Sequence, residues 1–108
     1  MAKYLIEETL TSQVIADILK NPEDRMEPVR RIFDSAGCKL EQFYASLTEN
    51  KTYLIVDSPD LKSIYAVTAN FLAAGAASAI KCSPLITTSE AVGMFKKAAS
   101  LTYRPPGK

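Results

Sequence analysis

Apolar positions along the chain fall into short runs and helical stripes that alternate from end to end. Residues 3–10 begin with the compact run Tyr4-Leu5-Ile6 and predict a strand. Thr11-Ser12 then offers an N-cap, after which Val14, Ile15, Ile18 and Leu19 recur at helical spacing. Asn21-Pro22 interrupts that helix, because proline disfavours helical geometry in the residue before it. Asp24 caps a second helical segment, in which Pro28 is tolerated because it sits near the start. Met26, Val29, Phe33 and Ala36 form its buried stripe, while Arg30, Arg31 and Asp34 face out and Gly37 ends it.

Residues 39–47 and 52–57 predict two strands joined by a tight turn around Glu49-Asn50-Lys51. Asn50 is the residue there best able to take a left-handed backbone. Pro59-Asp60 opens the next helix, with Leu61, Ile64, Tyr65, Thr68, Phe71 and Leu72 on one face and Gly75 at its close. Residues 77–86 predict the last strand, and Pro84 confines that end to an edge or a bulge because it has no ladder donor. Thr87 to Glu90 has capping-box spacing and starts a final helix, with Ala91, Val92, Phe95, Ala98 and Ala99 turned inward. The tail, Tyr103 to Lys108, holds two prolines and stays extended.

The order of elements is that of a split βαβ, ferredoxin-like α+β domain spanning residues 1–108. It comprises a four-stranded antiparallel sheet, helices on one face and an extra C-terminal helix. Tyr53-Leu54-Ile55-Val56 and Tyr4-Leu5-Ile6 do not alternate, so both faces of those strands are apolar and want cover. The expected cover is a second copy packed sheet to sheet, giving a homodimer with the C-terminal tail exchanged or packed across. The competing arrangement folds the terminal helix and tail back over the second face.

Composition adds mainly exclusions. With 108 residues, 47% hydrophobic and 23% charged, the chain suits a globular domain rather than a disordered one. A net charge of +1 removes the general electrostatic case for nucleic acid or an anionic membrane. No strand carries the basic-Gly-aromatic pattern of RNA-recognition modules, and no glycine-rich phosphate loop is present. The absence of histidine removes the usual acid–base group and the commonest metal ligand, so neither a metal nor a cofactor is expected. Cys38 and Cys82 form no C-x-x-C pair and read as reduced thiols of a cytoplasmic protein. No apolar run is long enough to suggest a membrane span.

Four sets of residues are candidates for chemistry. Arg104, held between Tyr103 and two prolines, suits bidentate contact with a ligand carboxylate or phosphate, or a salt bridge in a dimer arm. Tyr4, Tyr44 and Tyr53 are strand phenols that suit hydrogen bonding to a ligand in a cavity, or simply good strand residues. Among Glu7, Glu8 and Asp57, Glu8 shares a strand face with Tyr4 and Ile6, where burial would raise its pKa and equip it as a general base. Neighbouring first and third strands would bring Asp57 near it. Cys82, following Lys81, is a weaker candidate nucleophile without a histidine partner.

The segment from Lys97 through Tyr103-Arg104-Pro105-Pro106-Gly107 resembles the close of GYD-domain proteins. The resemblance also covers Lys3-Tyr4-Leu5-Ile6, Gly37-Cys38-Lys39-Leu40-Glu41, Phe43-Tyr44 and Ile55-Val56-Asp57 with Pro59-Asp60. It implies a dimeric α/β barrel of ferredoxin-like subunits and implies no particular reaction. The Gly, Tyr and Asp that name the family should fall near Thr48-Glu49-Asn50-Lys51, and none is present there. The function expected is that of a small cytoplasmic homodimer binding a small organic ligand. The alternatives are a cofactor-independent oxygenase or isomerase with Glu8 as base, and a purely structural dimerisation module.

Overall fold

The computed structural model describes residues 1–108. Strand β1 (Ala2–Leu10) leads into helices α1 (Ser12–Lys20) and α2 (Met26–Ser35), followed by strands β2 (Lys39–Ser46) and β3 (Lys51–Ser58). Helix α3 (Leu61–Ala73), strand β4 (Ala77–Leu85) and helix α4 (Thr88–Ala99) complete the chain. The strands form one antiparallel sheet in the order β2-β3-β1-β4, which confirms the ferredoxin-like α+β fold. β4 is an edge strand, so Pro84 withholds its missing donor from no inner ladder.

Local chemistry sets the element ends. Thr11 Oγ1 accepts the Val14 N–H at 3.1 Å, and Asp60 Oδ1 accepts the Ser63 N–H at 2.8 Å. Thr87 and Glu90 make a complete capping box. Asn50 holds a φ of 60° in the β2–β3 turn, and its Nδ2 donates to the Leu10 carbonyl at 2.9 Å. The turn residue therefore also pins the far end of β1.

Sequence alternation becomes alternation of burial. Tyr4, Ile6 and Glu8 of β1, with Thr52, Leu54, Val56 and Ser58 of β3, point under the helices and are buried. Phe33 of α2 and Ile64 and Val67 of α3 close over them. The opposite face carries Leu5, Glu7, Tyr53, Ile55 and Asp57, all half-buried. The inner strands are thus apolar on both faces at Leu5 and Ile55, and only one face is covered.

Two helix faces differ from expectation. On α3, Val67 joins Ile64 and Thr68 in the buried set, while Leu61, Tyr65 and Leu72 lie on an exposed flank. The helix is apolar over a wider arc than one sheet can cover, so counting apolar spacings misplaced the buried side. On α4 the stripe expected to face inward is uncovered: no residue of that helix is buried, and Phe95 is 64% exposed. The chain extends 59 Å along its long axis, with a radius of gyration of 17.6 Å against about 13 Å for a compact domain of this length. Helix α4 and the tail thus leave the open sheet face bare, contrary to the fold-back arrangement.

Candidate functional site

The Glu8 end of the sheet lies beside helix α1. Helix α1 spans that end but turns only Val14, Ile15 and Ile18 partly inward, while Leu19 is exposed. Beneath it lies a cavity of about 110 Å³. Val14 and Ile18 form its roof, and Val29, Phe43 and Phe71 form its apolar walls. Glu8 and Thr52, paired across β1 and β3, supply polar groups to the lining, and Arg25 enters from the link between α1 and α2. A second hollow of about 290 Å³ shares Leu10, Ile18, Arg25, Phe43 and Thr52 with the first and opens toward Glu23 and Asp24.

Glu8 is only 8% exposed, and the Thr52 hydroxyl donates to its Oε2 at 2.8 Å. Oε1 has no hydrogen-bond partner in the protein. Burial holds the Glu8 carboxyl above the ordinary carboxylate range, against the opposing pull of the Thr52 hydrogen bond. The consequence for stability has a definite sign. Below the ordinary value of 4.5, Glu8 is protonated in the folded and unfolded states and its burial carries no charge penalty. As pH rises through the raised folded-state pKa, the unfolded state ionises more readily and stability is lost. Thermal melts should therefore show Glu8→Gln gaining on the parent chain as pH rises from the ordinary carboxylate value of 4.5 through the raised folded-state pKa, with the gain levelling off above it. A difference independent of pH would show that Glu8 titrates as an ordinary carboxylate.

The other expected site residues do not gather around Glu8. Tyr4 points under the helices but belongs to the core, opposite Val56 and Pro84 rather than at the cavity. Tyr44 and Tyr53 are cross-strand partners on the uncovered face. The Tyr53 hydroxyl donates to Glu49 Oε2 at 3.2 Å, and burial together with that carboxylate raises its pKa. The expected approach of Asp57 to Glu8 does not occur. Glu8 is registered with Thr52 and Asp57 with Lys3, at opposite ends and on opposite faces of the same strand pair. There the Glu41 carboxyl and the Lys3 ammonium hold the Asp57 carboxyl below its usual range. Glu41 reaches this group from a bulge in β2, where the register shifts between Leu40 and Gln42.

Glu7 shares the uncovered face and approaches Lys81 at 3.8 Å. Arg104 lies in the exposed tail. Burial pushes the Cys82 thiol up, the opposite of an activated nucleophile. No group of three or more Cys, Asp or Glu side chains is placed to hold a metal ion. Arg25 is the lining residue that sequence reasoning missed. It follows Asp24 in a non-periodic link, where neither spacing nor a motif marks it.

The fold defines a small ferredoxin-like α+β protein. The chain belongs to the GYD-domain family, whose model matches residues 4–94. Among solved structures it is similar to a NIPSNAP-domain protein from Burkholderia xenovorans, at 14% identity and a TM-score of 0.50. That likeness covers 82% of this chain and 96% of the other. It is also similar to a protein from Agrobacterium tumefaciens, at 13% identity and a TM-score of 0.51, covering 82% and 94% of the two chains. Both likenesses concern the fold. No curated protein matches the chain in sequence.

Proposed function

We propose that the protein is a homodimer that binds a small organic molecule in the cavity at Glu8. The observation that carries the ligand site is Glu8, a carboxyl side chain 8% exposed beside a largely apolar hollow, with Oε2 held by Thr52 and Oε1 bonded to no protein group and open to the hollow. The dimer is supported by the uncovered Leu5 and Ile55 on the inner strands. It is supported equally by α4, an amphipathic helix whose apolar stripe touches little of its own chain. Pairing the open faces, with α4 and the tail reaching across, would cover both. Cys38 in the core and Cys82 on β4 are free thiols, which supports a reducing, cytoplasmic setting.

Binding is preferred to catalysis because the phenols and Asp57 lie away from the one buried carboxyl. An oxygenase or isomerase would have Glu8 as base with no phenol beside it. The proposal is tested by native mass spectrometry of gently purified, untagged protein. The expected spectrum shows a doubled mass carrying a reproducible small adduct. Val14→Phe, which fills the cavity from α1, is expected to remove the adduct and keep the doubled mass. A single-chain mass would sink the dimer, and an adduct indifferent to Val14→Phe would sink the site.

A further inference from the structure

Accepting the cavity at Glu8 as a ligand site, we infer that its ligand is a small amine, with the ammonium on the free Glu8 oxygen and an apolar body among Ile18, Phe43 and Phe71. The inference rests on that reading and narrows it to one chemical class. Its first support is the state of Glu8 itself. Glu8 Oε1 accepts from no protein group and stays open to the hollow, so a donor carried by a ligand can displace water there and pair with it. No cation of the protein does so. Arg25 lines the same cavity but is engaged by Glu23, and no ion pair joins a protein cation to Glu8.

The second support is the sign of charge at the entrance. The hollows adjoining the cavity are lined by Asp17, Glu23 and Asp24 against the single guanidinium of Arg25. With Glu23 paired to Arg25, Asp17 and Asp24 leave a net negative charge that draws ammonium ions in and disfavours carboxylates. Asp17 and Asp24 are already turned to local work, accepting from Gln13 and from the Met26 N–H. They act as fixed negative charge at the approach, and the pairing itself is left to Glu8. The third support is volume. The inner hollow is smaller than the engineered apolar cavities that take up benzene, and its continuity with the second hollow supplies the remaining room for a branched amine of about four or five carbons.

Thr52 completes the arrangement. Its hydroxyl holds Oε2 and leaves Oε1 for the ligand, so the ammonium meets a carboxylate already fixed in orientation. The pair forms against largely apolar walls, where it is screened less than it would be at the open surface.

The test uses three molecules of one shape, isoamylamine, 3-methylbutan-1-ol and isovalerate, titrated into the full-length protein and followed by NMR shifts of the cavity methyls. The amine is expected to bind about tenfold or more tighter than the alcohol, and isovalerate weakest of all. Glu8→Gln should abolish the preference for the amine while leaving alcohol binding in place. The melting curve of that variant reports its folding independently. Equal binding of amine and alcohol, or a preference that survives Glu8→Gln, would overturn the amine assignment and leave the cavity standing. Failure of all three molecules to move the cavity resonances would overturn the cavity reading itself, and the amine with it.

Discussion

Phe33→Ala is expected to destabilise the protein by about 3–5 kcal/mol, the range for emptying a fully buried aromatic site. Phe33 is completely buried and is the one fully enclosed side chain of α2, whose other apolar residues are half-exposed. Its ring meets Phe71 edge to face, with centroids 5.9 Å apart at 73°, and so ties α2 to α3 above the sheet. The core holds ten buried apolar residues, so losing the largest of the fully buried ones removes a sizeable share of it. At about 4–8 °C of melting temperature per kcal/mol for a domain of this size, the fall should exceed about 12 °C. Phe71 also lines the cavity, so ligand binding should weaken in step. Leu19→Ala, on the exposed side of α1, serves as the control and should stay within about 0.5 kcal/mol of the parent. A loss below about 1 kcal/mol for Phe33→Ala would mean that α2 is not anchored through this ring.

Much of the fold was legible because its signals are local. Thr11, Asp60 and the Thr87–Glu90 box cap helices through bonds spanning three residues, and Asn50 takes the one left-handed position that a non-glycine residue holds. The unbroken apolar runs in β1 and β3 announced two apolar faces, and Leu5 and Ile55 do lie on the face the helices leave bare. Glu8 was visible by parity alone, two residues beyond Ile6 and therefore on the same side of the sheet.

The remainder depends on where separate elements meet. Parity also separates Glu8 from Asp57, but only once the register is known, and register is set by the β2–β3 turn and by the β2 bulge at Glu41. Periodicity identifies an apolar stripe on α4 without saying whose surface it covers. On α3 the apolar arc is wider than the contact, so Leu61, Tyr65 and Leu72 could not be told from Val67 by spacing. Arg25 reaches the cavity only because α1 stops at Asn21-Pro22 above the sheet end, a consequence of packing that no short window records.

In the proposed homodimer, Ile55→Arg is expected to convert the doubled mass into a single-chain mass while leaving the subunit folded. Ile55 lies on β3, an inner strand, with Leu5 and Gln42 as its cross-strand neighbours on the open face. Ionic groups flank this patch, Lys3 with Asp57 and Glu41 on one side and Glu7 with Lys81 on the other, so the apolar contact is confined to a narrow centre. A charge placed there in both copies must be desolvated at the middle of the contact, where losses are largest. The dissociation constant should rise about a hundredfold or more, equivalent to at least about 2.7 kcal/mol. In the separate subunit the arginine meets water, and the core under the helices does not touch it. The cavity at Glu8 lies on the other side of the sheet, so amine binding should persist in the single chains. Lys81→Ala, at the rim, should change the association far less. If Ile55→Arg keeps the doubled mass, the open sheet face is not the contact. The exposed stripe of Val92 and Phe95 on α4 would then be the surface that joins the copies, and Phe95→Ser would be the change to separate them.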